Sequence, residues 1–238
     1  MNLRAIIFDV YGTLLEVSPP PANAQEKWAV LWGNLLHRPP SLNLSDFARG
    51  CDILVAREHA RAHAQGIPYP EVCWPAITSA VVPELNLLSQ AQRDEFLFEQ
   101  AQLWHSVQLM PGVADTMRLL VKMGTLMGIA SNAQAYTLRE LSRELAVAGL
   151  DMGIFDPHLC FWSFEHGFSK PDPHVFRNLS ARLQTRGINP ENILMVGDRL
   201  DNDIEPALAQ GWSGWHLNSD SAKTWRHLQD FISENQQP

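Results

Sequence analysis

The stretch that decides the fold is Ala5-Ile6-Ile7-Phe8-Asp9-Val10-Tyr11-Gly12-Thr13-Leu14. Its first four residues are apolar and include two β-branched isoleucines, a pattern typical of a strand buried on both faces in the middle of a parallel sheet. The apolar run ends at Asp9, and a Gly-Thr turn follows. The stretch therefore predicts a central parallel strand with a carboxylate at its carboxyl end.

Three strings downstream have the same apolar character. They lie at residues 126–130, 159–161 and 193–196. Helical patterns lie between and after them, at about residues 112–122, 135–146, 173–185 and 202–210. Strands that alternate with helices of this length predict βαβ units. We therefore predict an α/β fold built on a doubly wound parallel sheet.

The segment at residues 16–107 has a different pattern. It opens with the run Ser18-Pro19-Pro20-Pro21, after which helical periodicity continues with almost no strand signal. Asn43 and Ser89 each stand where a helix would begin. We predict that residues 16–107 form an all-helical domain, which we call the insertion. It would interrupt a core domain made of residues 1–15 and 108–238.

Composition and charge exclude several classes of function. The chain has 238 residues and a formal charge of −8, whereas a nucleic-acid surface needs clustered positive charge. No apolar run approaches the ~18–20 residues of a membrane span, and no signal peptide is recognisable. The three cysteines show neither metal spacing nor a disulfide framework, so we expect reduced, packed thiols. We expect a cytoplasmic monomer or homodimer that binds neither nucleic acid nor membrane.

Polar residues at the predicted strand ends are the candidates for chemistry. Ligands of open α/β sheets bind beyond the carboxyl ends of the strands. Four residues of this kind are Asp9, Ser131, Lys170 and Asp198, and the group Asp201-Asn202-Asp203 follows closely. Singly, each has a structural explanation, such as a helix N-cap, a charged first turn or a solvated loop residue. Their joint occurrence in this order favours a catalytic site.

These residue types suit covalent catalysis on a small anionic substrate. Asp9 could attack the substrate and form a covalent intermediate. Ser131 and Lys170 could hold the substrate's negative oxygens, and the following turn could offer backbone N–H donors. Asp198 beside Asp9 would be repulsive unless a cation lies between them, and hard oxygen ligands suit Mg²⁺.

Four segments resemble the motifs of the haloacid dehalogenase-like hydrolase superfamily. They are Phe8-Asp9-Val10-Tyr11-Gly12-Thr13-Leu14, Ala130-Ser131-Asn132, Ser169-Lys170-Pro171-Asp172-Pro173 and Gly197-Asp198-Arg199-Leu200-Asp201-Asn202-Asp203. The resemblance covers about residues 4–16 and 108–217. In position and type, the insertion resembles the mobile helical cap that follows the first motif in this superfamily. The resemblance implies a Rossmann-like core and an aspartyl covalent intermediate.

The resemblance also implies a role for each matching residue. Asp9 becomes the nucleophile, and Lys170 neutralises the nucleophile and the intermediate. Asp198 holds Mg²⁺ together with Asp9 and the main-chain carbonyl of Tyr11. The remaining expected contacts are substrate binding by Gly12, Thr13, Ser131, Asn132 and Lys170, and support of the metal's water shell by Asn202 and Asp203.

Tyr11 departs from the pattern of the phosphatases in this superfamily. They carry a second aspartate there, which protonates the leaving oxygen and later activates water, whereas a phenol with a pKa near 10 is a poor base at neutral pH. Tyrosine at this position resembles the 2-haloacid dehalogenases, in which the aspartate attacks carbon and halide leaves without a proton. Asp198 followed by Asn202 and Asp203 instead resembles the magnesium-binding motif of the phosphatases, and the dehalogenases use no metal.

Three functions follow from these features. The first is a Mg²⁺-dependent phosphatase acting on a small phosphorylated molecule whose leaving group is already stable as an anion. The second is a metal-independent 2-haloacid dehalogenase. For that function, the insertion lacks the expected basic and aromatic run, and Arg38 is available only beside Pro39-Pro40, as in a surface loop. The third is a catalytically degenerate protein that binds Mg²⁺ and an anion. We expect the phosphatase, with Tyr11 as an altered acid–base residue.

Overall fold

The computed structural model describes residues 2–217 and 221–235, which form seven strands and ten α-helices. In chain order the strands are β1 (Ala5–Phe8), β2 (Leu15–Ser18), β3 (Ser106–Leu109), β4 (Leu126–Ser131), β5 (Cys160–Trp162), β6 (Ile193–Gly197) and β7 (Ser213–His216). The helices are α1 (Ala24–Leu36), α2 (Leu44–Ala64), α3 (Trp74–Val81), α4 (Gln90–Ala101), α5 (Val113–Met123), α6 (Ala135–Val147), α7 (Ser163–His166), α8 (Pro173–Gln184), α9 (Glu205–Leu208) and α10 (Ser221–Asn235).

Five strands form one parallel sheet in the order β5-β4-β1-β6-β7. The strand β1 lies at its centre, with Phe8 opposite Ile129 on one side and Val196 on the other. Its side chains alternate between the two faces, as a strand requires. Phe8 joins an apolar cluster that includes residues of α5 and α10, and Ile7 joins the cluster that includes residues of α8. The predicted α/β class with a parallel sheet covered on both faces is therefore confirmed.

The carboxyl-terminal part of the sheet was predicted less well. The strand β7 was missed because Ser-Gly-Trp-His carries no β-branched residue, and this strand pairs only with β6. The helix α10 was also missed. The expected single helix at 202–210 is instead a π-helical turn, Leu200–Ile204, followed by the short α9.

The helices α1 to α4 pack around an apolar cluster of their own. Trp28 and Trp32 are fully buried in it, and the Trp28 ring lies 4.9 Å from that of Phe47. Asn43 caps α2 through a 2.8 Å hydrogen bond from the Asp46 N–H. Ser89 caps α4 in a capping box with Gln92. The two helix starts predicted from sequence are therefore confirmed.

A two-stranded antiparallel sheet stands where the chain enters and leaves the insertion. The strand β2 pairs with β3, with Leu15 opposite Leu109 and Ser18 opposite Ser106. The prediction of an all-helical segment was wrong at these ends, because four-residue strands beside a proline run give almost no periodic signal. The division into residues 1–15 with 108–238 and residues 16–107 stays a prediction.

Two further features bear on the expectations drawn from composition. Within residues 2–217 and 221–235, no helix is both long enough and apolar enough to cross a bilayer. The cysteines are free thiols, of which Cys51 is buried and Cys160 half-buried. Cys73 is exposed, so the expectation of packed thiols was wrong for that residue.

Candidate active site

The carboxyl ends of β4, β1 and β6 lie side by side and bring the motif residues to one edge of the sheet. Asp9 follows β1, Ser131 ends β4 and Asp198 follows β6. A pocket of 420 Å³ opens at this edge. Its lining residues are Asp9, Tyr11, Gly12, Val17, Asn132, Lys170, Asp198, Arg199, Asn202 and Asp203. Nine of these ten belong to the four motif segments, and Val17 belongs to β2.

A buried lysine joins two of the carboxylates. Lys170 Nζ donates to Asp9 Oδ1 at 2.7 Å and to Asp203 Oδ1 at 2.5 Å, and the lysine is 3% exposed. Asn132 fixes the lysine backbone through two bonds: Lys170 N donates to Asn132 Oδ1 at 2.7 Å, and Asn132 Nδ2 donates to Lys170 O at 2.9 Å. Lys170 is therefore fixed at both ends: the two carboxylates hold its ammonium beside Asp9, and Asn132 holds its backbone.

Burial and neighbouring charges shift the pKa values of these groups. Burial raises the pKa of Asp9 to about 6, and Asp203 and Asp198 add to this effect while Lys170 opposes it. Burial alone would lower the pKa of Lys170, but the carboxylates of Asp9 and Asp203 outweigh burial and raise it. Burial and Asp203 raise the pKa of Asp198. One ammonium thus does not neutralise three carboxylates in this pocket.

The three carboxylates have the chemistry of a divalent cation site. One oxygen from each of Asp9, Asp198 and Asp203 lies within 4.8 Å of the other two. Both oxygens of Asp203 are engaged, since Oδ1 accepts from Lys170 and Oδ2 accepts from the Arg199 N–H at 3.0 Å. Asp9 and Asp198 are therefore better placed as direct ligands, and hard carboxylate oxygens suit Mg²⁺.

Gly12 lets the first loop approach Asp198 closely. Its φ angle is +74°, and a Cβ at this position would lie 2.3 Å from Asp198 Oδ2. A side chain here would therefore displace the candidate metal ligand as well as strain the backbone.

We expect Gly12→Ala to destabilise the protein by about 1–3 kcal/mol and to lower turnover on the order of 10²-fold, because it displaces Asp198. The matched control is Gly66→Ala, since Gly66 also has a positive φ (+84°), but a Cβ added there would meet no other part of the described chain within 4 Å. Urea unfolding should show a loss of stability in both variants. Measured kcat should fall in Gly12→Ala alone. Equal turnover in the two variants would contradict the role of this close approach.

The hydroxyl groups of Ser131 and Thr13 are buried at the same edge. Within the described part of the chain, neither Oγ of Ser131 nor Oγ1 of Thr13 has a hydrogen-bond partner. An unsatisfied buried hydroxyl costs about 1–3 kcal/mol, so an oxygen-bearing ligand would relieve this cost.

The backbone N–H groups of the turn after Asp9 do not face the pocket as donors. Gly12 N donates to Leu15 O at 2.8 Å, and Thr13 N donates to Val10 O at 3.2 Å. These two groups close the tight turn that carries the chain from β1 into β2, and substrate binding by Gly12 and Thr13 stays a prediction.

The phenol of Tyr11 is directed into a buried polar cluster on α6. Its hydroxyl donates to Glu140 Oε2 at 2.5 Å and lies 2.9 Å from Thr137 Oγ1. Glu140 is fully buried, and its Oε1 lies 2.5 Å from the donor Gln102 Nε2 and 2.9 Å from His105 Nε2. Tyr11 therefore lines the pocket, while its hydroxyl is bound in the cluster on α6.

The electrostatics of this cluster keep the phenol protonated. Burial, and then the charge of Glu140, raise the pKa of Tyr11 well above its ordinary value of 10.0. Burial would raise the pKa of Glu140, but hydrogen bonds from His105, Tyr11 and Gln102 outweigh burial and lower it. Glu140 thus stays ionised as the acceptor for the one hydroxyl proton of Tyr11.

Two residues that bear on the site were not predicted from the sequence. Glu140 could have been suspected, because it lies three residues after Thr137 on the buried face of α6. Glu71 lies between α2 and α3 and contacts loops next to Asn132 and Lys170. It gives no sequence signal, since its two side-chain partners, Gln134 and Ser163, are more than 60 residues away in the chain.

The fold and this site together define a class of protein: a doubly wound α/β protein with a buried lysine and clustered aspartates at the carboxyl edge of its sheet. The chain belongs to the haloacid dehalogenase-like hydrolase family, whose model matches residues 3–211.

Individual relatives show the range of similar proteins. The chain is 26% identical to a phosphoglycolate phosphatase from Pseudomonas putida over 212 residues, which are 87% of this chain and 66% of that protein. It is 32% identical to a glyceraldehyde 3-phosphate phosphatase from Pyrococcus furiosus over 94 residues, or 40% and 35% of the two chains. The matches thus span between about a third and two thirds of these relatives' length. A haloacid dehalogenase family enzyme from Bacteroides thetaiotaomicron shares the fold, with a TM-score of 0.60, 14% identity, and coverage of 96% of this chain and 98% of that chain.

Proposed function

We propose that the protein is a Mg²⁺-dependent phosphatase for small phosphorylated molecules, with Asp9 as its nucleophile. The observation that carries this proposal is the group of Asp9, Asp198 and Asp203 within 4.8 Å, next to Lys170. Three carboxylates and one ammonium carry a net negative charge and would repel a phosphate dianion, whereas a bound divalent cation would cancel that net charge. The phosphatase names of the relatives above support the same reaction class.

The proposed reaction has two displacement steps at phosphorus. In the first, an ionised oxygen of Asp9 forms a bond to phosphorus, and the leaving oxygen departs with the electron pair of its P–O bond. In the second, the oxygen of water forms a bond to the phosphorus of the aspartyl phosphate, and the P–O bond to Asp9 breaks. Asp9 is restored as a carboxylate, and both protons of the water leave with the inorganic phosphate as dihydrogen phosphate. Lys170 offsets the charge on Asp9, and Ser131 Oγ donates to a phosphoryl oxygen.

Mg²⁺, held by Asp9, Asp198 and the main-chain carbonyl of Tyr11, would supply positive charge for the phosphoryl oxygens. Asn202 and Asp203 would support its water shell. Lys170 also orients Asp203, so the lysine links the nucleophile to the residues that surround the cation.

The contacts of Tyr11 define the substrate class in this proposal. Glu140 accepts the phenol proton, and burial together with the charge of Glu140 raises the pKa of Tyr11, so Tyr11 acts as a pocket wall and does not protonate the leaving oxygen. The favoured substrates are then acyl or aryl phosphates, whose leaving groups are stable as anions.

We expect the rate of the wild-type protein to depend steeply on leaving-group pKa across a series of aryl and alkyl phosphates. Tyr11→Asp should flatten this dependence, because an added general acid typically contributes ~10²–10⁴-fold and helps poor leaving groups most. Tyr11→Phe, which removes the hydroxyl and keeps the ring, should retain the steep slope. An unchanged slope in Tyr11→Asp would sink the proposed role of this position.

A 2-haloacid dehalogenase is the second candidate, and the tyrosine at position 11 is the observation that favours it. Its chemistry needs no proton for the leaving halide. Arg38, the residue of the insertion considered above for this role, pairs with Glu84 and lies over the Trp32 ring, so it is committed within the insertion. This arrangement favours the phosphatase.

A cytoplasmic location and a monomeric or homodimeric state stay predictions.

A further inference from the structure

A short segment of the insertion pairs with the loop that leads to Lys170. Glu71 N donates to Gly167 O at 3.0 Å, and Ser169 N donates to Tyr69 O at 2.9 Å. Pro70 and Phe168 lie opposite each other between these bonds as an antiparallel bridge. The insertion is therefore tied by its main chain to the residue immediately before Lys170.

The carboxylate of Glu71 joins the loop after β4 to the start of α7. Its Oε2 accepts from Ser163 Oγ at 2.6 Å, and its Oε1 accepts from Gln134 Nε2 at 2.9 Å. Ser163 is fully buried, and its Oγ also accepts from Ala133 N at 2.8 Å. One half-buried carboxylate thus holds the loop after β4 and the residue after β5.

These contacts lead directly to the candidate catalytic groups. Ala133 follows Asn132, whose side chain binds both the N–H and the carbonyl of Lys170. Lys170 Nζ in turn lies 2.7 Å from Asp9 Oδ1. A displacement of the loop that contains Asn132, or of the loop that contains Lys170, would therefore change the distance between the lysine ammonium and the Asp9 carboxylate.

We infer that Glu71, which lies outside all four motifs, is a positioning residue that aligns Lys170 and Asn132 with Asp9. It acts through Ser163 and Gln134 and does not touch the substrate. Its loss frees the loop after β4 and the start of α7, so Lys170 and Asn132 become misaligned. This misalignment lowers the rate of the chemical step more than it weakens substrate binding. The activity readout of this inference rests on the proposed function.

The test compares Glu71→Ala, Glu71→Gln and Glu95→Ala with the wild type on 4-nitrophenyl phosphate and Mg²⁺. Glu71→Ala is expected to lower kcat by ~10–100-fold, the usual effect of removing a supporting residue, with a smaller change in KM. Glu71→Gln keeps an acceptor oxygen and should recover most of kcat. Glu95→Ala is the matched control, because it removes another carboxylate of the insertion that binds the core, at Arg139, from an exposed position. It should keep the wild-type kcat.

A double variant separates positioning from general weakening. Glu71→Ala with Ser163→Ala should lose less kcat than the product of the two single losses, because both changes break the Glu71–Ser163 hydrogen bond. Multiplicative losses would overturn the inference. So would equal kcat losses in Glu71→Ala and Glu95→Ala, or a lower melting temperature in Glu71→Ala with unchanged kcat.

Amide hydrogen exchange distinguishes failure of this inference from failure of the proposed function. Peptides covering residues 131–134 and 167–170 should exchange faster in Glu71→Ala than in Glu95→Ala, since local opening is reported by exchange. Equal exchange in the two variants would overturn the positioning role even if the wild type is active. Absence of turnover in the wild type would reject the phosphatase, and the exchange result would still decide the role of Glu71.

Discussion

Asp9→Asn is expected to lower kcat on the order of 10⁴–10⁶-fold, the loss typical of removing a nucleophile. Asparagine keeps the shape of the side chain and one oxygen near Lys170, but its amide cannot form the aspartyl phosphate. The measurement is phosphate release with Mg²⁺ at saturating substrate, together with circular dichroism to show that the fold is retained. A variant that keeps a tenth or more of the wild-type rate would remove Asp9 as the nucleophile.

The same substitution should not lower stability at neutral pH in the absence of a cation. The pKa of Asp9 is raised by burial to about 6, above its ordinary value of 3.8. A carboxyl shifted in this direction contributes stability that is fully present below pH 3.8 and is lost as the pH rises through about 6. At neutral pH the ionised group is therefore unfavourable for the fold, and asparagine removes this effect. We therefore compare the melting temperatures of Asp9→Asn and the wild type in EDTA. The value for the variant minus that for the wild type should increase as the pH rises from 3.8 to about 6.

Lys170→Met is expected to destabilise the protein by about 3–5 kcal/mol, because removal of one partner leaves buried charges uncompensated. The lysine is 3% exposed and joins Asp9 to Asp203, so its loss leaves two buried carboxylates close to a third. Turnover should fall as well, since the charge of the nucleophile is no longer offset. Urea unfolding followed by tryptophan fluorescence measures the stability change.

The matched control for this prediction is Lys122→Met, since Lys122 is exposed in the last turn of α5. Its loss should change stability by no more than about 0.5 kcal/mol. Lys170 lowers the pKa of Asp9, so in Lys170→Met Asp9 takes up a proton at a higher pH than in the wild type, and the destabilisation should shrink as the pH falls towards about 6. A loss of stability that is equal in the two variants, or independent of pH, would contradict the charge argument.

The central sheet could be predicted because local pattern and tertiary environment agree there. The run from Ala5 to Phe8 is apolar on both faces and is buried on both faces. The strand β7 could not be predicted, because its Ser-Gly-Trp-His sequence owes its strand conformation to pairing with β6. The β2–β3 pair was hidden for a similar reason, since its two strands lie about 90 residues apart in the chain.

The candidate site was predictable where a residue's position in the chain fixes its place in the fold. Asp9, Ser131 and Asp198 stand at the ends of neighbouring parallel strands and therefore lie along one edge of the sheet. The contacts of Tyr11 were not predictable, because Glu140 reaches its hydroxyl from a helix 129 residues away. Glu71 and its partners are likewise joined only by tertiary packing, which no local pattern records.

The most direct test of the central claim is a paired assay of the wild-type protein for phosphate and halide release. 4-Nitrophenyl phosphate and 2-chloropropanoate are each incubated with Mg²⁺ and with EDTA, and Asp9→Asn serves as the blank. Phosphoryl transfer at Asp9 predicts phosphate release that requires Mg²⁺, no halide release, and no activity in the variant. Halide release in EDTA without phosphate release would contradict it and would assign Asp9 to attack on carbon.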